Sequence, residues 1–155
     1  MEKEINDTFA GAVVDTLLDG VDKNKDPGLI PALLLAYVGD SIFDLAIRTM
    51  FIKKGNRQVN KINNEVTGYV SAAAQAKIAD AIKTSFAEDE AVIYQRGRNA
   101  KPKTKAKNAT QGEYHKATGL EAVFGYLYLK GERDRLLELI GAGVRALEEP
   151  VKKRE

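Results

Sequence analysis

Apolar residues recur at helical spacing along nearly the whole chain, and this periodicity constrains the fold more than any other feature of the sequence. No run of alternating β-branched residues is long enough to predict a strand. The prolines all lie where other signals indicate breaks: Pro27, Pro31, Pro102 and Pro150. We therefore predict an all-α domain of six or seven helices, with no internal repeat.

The helix boundaries follow from the periodic segments and the breaks between them. Pro31 suits the first turn of a long helix that closes at residues 53–55, with Gly55 as the left-handed residue beyond its end. Polar, basic residues 97–112 predict a loop, because Pro102 forbids a continuous helix there. The other predicted helices cover residues 9–18, 59–83 with a weak point at 66–70, 88–96, 114–129 and 133–148.

The composition is that of one globular domain spanning residues 1–155. Hydrophobic residues make up 44% of the chain and charged residues 30%, so a core can form without disulfides or a structural metal. Cys is absent and His115 is the sole histidine, which excludes zinc–thiolate sites, iron–sulfur clusters, Cys nucleophiles and His-based triads. Carboxylates are therefore the only plausible metal ligands in this sequence.

The sequence gives no sign of a membrane segment. Its longest apolar run, residues 29–38, spans ten residues, is interrupted by Pro31 and falls short of the roughly 20 that a membrane helix needs. The first four residues carry both signs of charge, unlike a signal peptide. We expect a cytoplasmic protein with no membrane partner.

Two carboxylates stand inside apolar helical stripes, each with glycine nearby. Asp40 follows Gly39 within the segment 35–43, and Glu121 lies between Gly119 and Gly125. Glycine and an acid in a helix interior are unfavourable locally, and such conflicts concentrate at functional sites.

These carboxylates need a proton, a base or a metal, because a lone desolvated charge is costly. Asp44, one turn beyond Asp40, adds a like charge. All-oxygen ligands select hard cations, so Mg²⁺ is the natural partner, with Mn²⁺ as an alternative. The structural interpretation is that Asp40 caps a helix break at Gly39 while Glu121 pairs with a distant base such as Arg48. Spacing alone leaves both the metal-binding interpretation and the structural interpretation open.

Charge is distributed unevenly along the chain. The net charge is +2, from 24 Lys and Arg against 22 Asp and Glu. Residues 91–112 carry six basic residues and no acid, hence +6, which leaves 2 − 6 = −4 for the remainder. Such a segment can contact several phosphates, although a merely solvated loop is the alternative. The candidate nucleic-acid-binding residues are Arg96, Arg98, Asn99, Lys101, Lys103, Lys105 and Lys107.

Both acid-bearing segments resemble motifs of the ribonuclease III family. Residues 36–44, Ala-Tyr-Val-Gly-Asp-Ser-Ile-Phe-Asp, resemble its Gly-Asp signature helix, and residues 118–129 resemble its Glu-Ala motif. Residues 70–77 and 96–101 are similar to segments of the Mini-III branch, which has the catalytic domain and lacks the double-stranded-RNA-binding domain. The resemblance runs from about Leu29 to Leu129.

This resemblance implies an all-α endonuclease domain that works as a homodimer, with acids from both subunits in a shared cleft. Asp40 and Glu121 match the family's catalytic, metal-ligating acids. The implied activity is Mg²⁺-dependent hydrolysis of double-stranded RNA, leaving 5′-phosphate and 3′-hydroxyl ends. The implied substrate is precursor large-subunit (23S) ribosomal RNA, and whether a ribosomal protein acts as a further partner is left open.

The sequence departs from the longer ribonuclease III pattern at three positions. Leu33 and Ala36 stand where those enzymes carry two further acids, and Thr118 stands where they carry Asp. Mini-III resembles this chain at Thr118. Because the reduced acid set leaves fewer ligands for a second metal, a catalytically idle RNA-binding or ribosome-associated module on the same fold is the rival interpretation. A helical interaction protein with a solvated basic loop is a third.

Overall fold

The computed structural model describes residues 8–17, 25–100 and 110–149. Within these ranges the chain is helical and contains no strand, which confirms the predicted all-α class. Short 3₁₀ turns lie at Pro27–Leu29 and Lys83–Ser85. The helices are α1 (Phe9–Leu17), α2 (Ala32–Lys53), α3 (Val59–Val70), α4 (Ala72–Ile82), α5 (Glu88–Asn99), α6 (Gln111–Lys130) and α7 (Arg133–Glu148).

Ser71 divides the long helical stretch that the sequence predicts over residues 59–83. Its extended backbone ends α3, and its hydroxyl then accepts a hydrogen bond from the Ala74 backbone N–H at 3.2 Å. This is the N-terminal cap that α4 requires, because the first N–H groups of a helix have no partner within the helix. The helical stretch is therefore interrupted at Ser71, directly after the weak point that the sequence predicts at residues 66–70.

The two helices that flank the basic segment both extend further into it than the sequence predicts. α5 continues through Gly97 to Asn99, because Gly97 packs directly against the Cα of Gly119 in α6. At the other end, the Thr110 hydroxyl accepts a hydrogen bond from the Glu113 backbone N–H at 3.1 Å and starts α6 at Gln111. Composition marked the segment as a loop, but packing and capping decide where each helix ends.

α6 is the central helix of the domain. From Ala117 to Leu127 every residue except Glu121 is buried, as expected of a helix that is apolar on all sides. It packs most extensively against α2, α5 and α4, and the rings of Phe43 and Phe124 meet at 5.3 Å between centroids. A half-buried carboxylate in this helix is thus the exception that needs an explanation.

None of the described helices combines the length and hydrophobicity required to cross a lipid bilayer.

α2 ends as predicted, with Lys54 as its C-terminal cap and a positive φ of 141° at Gly55. Leu18, the last residue of the first predicted helix, lies outside the described residues.

Candidate active site

Two glycines allow α2 and α6 to cross in backbone contact. A Cβ added to Gly39 would overlap the carbonyl oxygen of Glu121, and one added to Gly125 would overlap the carbonyl oxygen of Leu35. No larger residue fits at either position without separating the helices. The glycines that looked unfavourable in the sequence are therefore the contact points of the central helix pair.

This crossing brings the two predicted acids together. Asp40 follows Gly39 in α2 with an exposed side chain, and Glu121 contributes the backbone that Gly39 touches. Burial, and then the nearby charge of Asp40, raise the pKa of the Glu121 carboxyl to about 8. Burial and the charge of Asp44 raise the pKa of Asp40. Two residues 81 positions apart thus form one electrostatic site.

The structural interpretation of Asp40 as a cap is wrong, and Arg48 is not the partner of Glu121. α2 runs without a break through Gly39 and Asp40, so Asp40 caps nothing. Arg48 pairs instead with Asp44, one turn away on its own helix, with Nε and Oδ2 2.9 Å apart. Within the described part of the chain, no Lys or Arg forms an ion pair with Asp40 or Glu121.

Gln75 of α4 is a further member of this site that the sequence analysis did not select. Its side chain is only 2% exposed, and its amide Nε2 donates to the Val70 carbonyl at 2.9 Å. The same side chain lies close enough to the Glu121 carboxyl to favour its charged form, and so to lower its pKa against the larger effects of burial and Asp40. One feature of the sequence could have pointed to Gln75: it is the single amide in the Ala-rich stretch 72–81, where every other polar residue is charged.

The donor set fits a hard divalent cation. Asp40 and Glu121 together supply two carboxylates and a charge of −2. The described residues include no cluster of three or more acidic or His ligands. Mg²⁺ needs no such cluster, since it keeps several waters and is bound by one or two carboxylates together with substrate phosphates.

Thr118 adds no ligand charge at the position where the longer enzymes carry an acid. It is buried, and its hydroxyl donates to the Tyr114 carbonyl, one turn earlier in α6, at 3.0 Å. The small residues that flank Glu121 therefore serve mostly the packing of neighbouring helices, with Gly125 against α2 and Gly119 against Tyr94 of α5.

Three of the seven candidate RNA-binding residues belong to the described part of the chain, and four do not. Arg96 is half-buried and donates to the carbonyls of Gly28 at 2.6 Å and Ile30 at 2.9 Å, so its guanidinium holds the turn before α2. Arg98 lies over the Tyr94 ring at 5.9 Å, and Asn99 is exposed at the end of α5. The remaining candidates lie outside the described residues: Lys101, Lys103, Lys105 and Lys107.

The end of α5 lies beside the part of α6 that carries Glu121. Gly97 packs against the Thr118 carbonyl and the Ala122 side chain, the latter directly next to Glu121 in sequence. α5 therefore ends, at Asn99, two residues after a point of contact with the central helix.

Residues 33–132 match the family described as Ribonuclease III domain. The chain belongs to the ribonuclease III family. A relative named Mini-ribonuclease 3 from Enterococcus faecalis is 43% identical over 118 residues, covering 75% of this chain and 89% of the relative. Another of that name, from Thermoanaerobacter sp., is 41% identical over 117 residues, covering 76% of this chain and 82% of the relative. The resemblance to the Mini-III branch is thereby confirmed.

The fold of this ribonuclease III family member also matches a solved structure. The X-ray crystal structure of a protein from Fusobacterium nucleatum superposes with a TM-score of 0.71 at 31% sequence identity. The match covers 79% of this chain and 98% of that protein. Membership in the family makes the chain an endoribonuclease.

Proposed function

We propose that the chain is a Mg²⁺-dependent endoribonuclease that hydrolyses phosphodiester bonds of double-stranded RNA. The observation that carries this proposal is the crossing of α2 and α6, which places Glu121 beside Asp40 with no cationic partner among the described residues. Precursor large-subunit (23S) ribosomal RNA is the proposed substrate, with 5′-phosphate and 3′-hydroxyl ends as products. The proposed location is the cytoplasm.

Asp40 and Glu121 are the proposed ligands of the cation, with Mn²⁺ as the alternative to Mg²⁺. A bound Mg²⁺ supplies a water of lowered pKa and stabilises charge on the scissile phosphate. The carboxyl of Glu121 must release its proton for this role, because its pKa is raised to about 8 and only the charged form binds a hard cation well. The Gln75 amide favours that charged form from the protein side.

The substrate test uses the purified chain with a long duplex RNA and a single strand of the same sequence, in Mg²⁺ and in excess chelator. We expect cleavage of the duplex in Mg²⁺ alone. A catalytically idle RNA-binding module would instead bind the duplex and form no product with any metal. Its binding would not depend on Asp40. Absence of cleavage for every duplex would therefore reject the proposed activity in favour of that rival.

Part of the affinity for the duplex is proposed to come from the basic segment, residues 91–112. The basic segment supports this, since Lys101, Lys103, Lys105 and Lys107 stand at alternate positions with no acid among them. Lys side chains bind phosphates as point charges, without reading base sequence. We therefore assign these lysines to the RNA backbone.

Replacing the four lysines by Ala is expected to weaken duplex binding and to reduce its salt dependence. Each phosphate contact contributes about 0.9 to the slope of log affinity against log salt, so losing four contacts lowers the slope by about 3 to 4. Binding titrations between low and moderate salt measure it. As a matched control, Lys53, Lys54, Lys61 and Lys83 are replaced by Ala; an equal effect in both variants would show that only overall charge matters.

A homodimer is part of the proposal, and the exposed face of α2 supports it. Leu33, Tyr37 and Ser41 are spaced by one turn and all exposed, with Tyr37 at 78%. Leu34 and Leu45 extend this apolar surface. Asp40 lies on the same face, three residues after Tyr37, so a second copy seated there would bring two acidic sites together. Contiguous exposed apolar surface of this kind marks interfaces.

Tyr37→Asp is expected to convert a dimer into a monomer and to abolish double-strand cleavage. A buried unpaired carboxylate at an interface costs several kcal/mol, which is enough to dissociate a dimer at micromolar concentration. Sedimentation velocity gives the mass of both proteins. Val92→Asp, at an exposed apolar position of α5, serves as the control and should leave the mass unchanged. A wild type that sediments as a monomer at all concentrations would reject this part of the proposal.

A further inference from the structure

Arg96 binds the protein's own backbone with both ends of its guanidinium. Nη1 donates to the Gly28 carbonyl at 2.6 Å and Nη2 donates to the Ile30 carbonyl at 2.9 Å, although these residues lie 68 and 66 positions earlier in the sequence. Arginine recognises phosphate with the same planar fork of N–H groups. In Arg96 the fork formed by the two terminal nitrogens is therefore already occupied, and the side chain is half-buried.

The two carbonyls belong to the turn that leads into α2. Hydrogen bonds within the backbone of this turn use the carbonyls of Asp26 and Pro27. The carbonyls of Gly28 and Ile30 are bound by Arg96 instead. Because a backbone carbonyl withdrawn from water needs a donor, one guanidinium satisfies two groups of the turn at once. Arg96 thereby ties the last turn of α5 to the start of α2.

The last turn of α5 lies between the two helices that carry the acids. On one side, Asn99 lines a cleft together with Leu33, in the first turn of α2. On the other side, Gly97 packs against the Ala122 side chain of α6, next to Glu121 in sequence. The contacts with α2 and α6 together set where the exposed side chains at the end of α5 lie relative to the acids.

Arg98 is the cationic side chain that this arrangement leaves available. Its Cζ lies 5.9 Å from the centroid of the Tyr94 ring, and within the part of the chain that the structure describes it forms no ion pair. Tyr94 is itself buried against Gly119 of α6. An aromatic face orients a guanidinium without using its N–H groups, so the donors of Arg98 are free for a phosphate.

We propose that Arg96 is a positioning residue, which holds the last turn of α5 on the start of α2 so that Arg98 meets a phosphate of the RNA duplex. This inference rests on the proposed function, since it takes duplex RNA as the ligand of Arg98. It gives different roles to two arginines of equal charge that stand two positions apart. Because Arg96 acts through Arg98, the two side chains should not contribute to RNA binding independently.

The test is a double-mutant cycle of Arg96→Met and Arg98→Met, measured as the salt dependence of duplex binding in chelator. One lost phosphate contact lowers the slope of log affinity against log salt by about 0.9. We expect the same decrease of about 0.9 in both single variants and in the double variant, because all three lose one contact. A decrease about twice as large in the double variant would show that Arg96 contacts a phosphate of its own. That result would overturn the inference, as would a wild-type slope in either single variant.

Lysine variants and a third arginine provide the controls. Arg96→Lys keeps the charge and loses the planar fork, so we expect it to resemble Arg96→Met, whereas Arg98→Lys should keep most of the wild-type slope. Arg135 binds Glu90 and the Ser85 carbonyl beside the start of α5. Arg135→Met should lower the melting temperature and leave the slope unchanged. Equal losses of slope in Arg96→Met and Arg135→Met would instead assign Arg96 a purely structural role.

Amide hydrogen exchange tests the anchor without RNA. In both Arg96 variants we expect about tenfold faster exchange in residues 28–30 and 97–100, with α7 unchanged, because two hydrogen bonds that join these segments are lost. Unchanged exchange in these segments would contradict the anchoring role. If the wild type binds duplex RNA and cleaves none, the proposed activity fails, while the double-mutant cycle still decides the role of Arg96. A wild type that binds no duplex RNA would overturn the inference.

Discussion

Asp40→Asn and Glu121→Gln are each expected to reduce cleavage of duplex RNA by about a thousandfold or more. Each substitution removes one of two carboxylates, halves the negative charge that faces the cation and preserves the shape of the side chain. Lewis-acid catalysis by a bound metal contributes several kcal/mol, and each 1.36 kcal/mol corresponds to a factor of ten in rate. Loss of the metal therefore accounts for an effect of this size without any change in fold.

Initial rates on a labelled duplex, measured across a range of Mg²⁺ concentrations, provide the test. Gel shifts in chelator should show that both variants still bind the duplex, which separates loss of chemistry from loss of affinity. Asp80→Asn is the control, since Asp80 is an exposed α4 carboxylate paired with Lys116 and Lys83. Cleavage by both active-site variants at the wild-type rate would contradict the assignment of the metal ligands.

Much of this site was predictable because it depends on local sequence patterns. The helical period predicted the all-α class, and the conflict of an acid with a neighbouring glycine singled out Asp40 and Glu121. Backbone contact between two helices explains that conflict, since Gly39 and Gly125 are the residues whose missing side chains let α2 and α6 meet. The pattern indicated where something unusual occurs, and only the packing shows what it is.

Other features depend on contacts between distant residues, which periodicity does not encode. Arg96 belongs to a basic segment, and nothing in its neighbours reveals that its guanidinium binds the carbonyls of Gly28 and Ile30. Gln75 is one polar residue in a strong helix former, and its role depends on Val70 and on Glu121, 46 positions later. The end of α5 was misplaced for the same reason, because Gly97 stays helical through packing on Gly119. The start of α6 was misplaced although its cap is local, since Thr110 accepts from the Glu113 backbone N–H three residues later.

In the absence of metal, the free energy of unfolding of the wild type is expected to fall as pH rises from about 5 to about 8. The pKa of Glu121 is raised to about 8 in the folded chain, against an ordinary value of 4.5. Across this interval the folded chain keeps a proton that the unfolded chain has lost. Unfolding then releases a proton, so a higher pH favours the unfolded state.

Glu121→Gln removes this dependence, because the amide is neutral at every pH and carries no charge into the helix crossing. Between pH 5.5 and pH 8 we expect the wild type to lose about 2 to 3 kcal/mol of unfolding free energy relative to the variant. Hydrogen bonds from Lys116 and Tyr126 lower the pKa values of Asp80 and Asp89, respectively. These two carboxyls change the free energy of unfolding with pH in the opposite direction, and only in the acid range below about pH 4.

Urea unfolding of both proteins in chelator, at pH 5.5 and pH 8, measures this difference. Adding Mg²⁺ at pH 8 should restore stability to the wild type and leave Glu121→Gln nearly unchanged, because a ligand stabilises only the state that binds it. Parallel pH profiles for the two proteins in chelator would contradict a raised pKa at Glu121. The charged Glu121 carboxylate destabilises the metal-free fold because burial desolvates it and Asp40 repels it. The same negative charge attracts the cation, so this carboxylate links folding to metal binding.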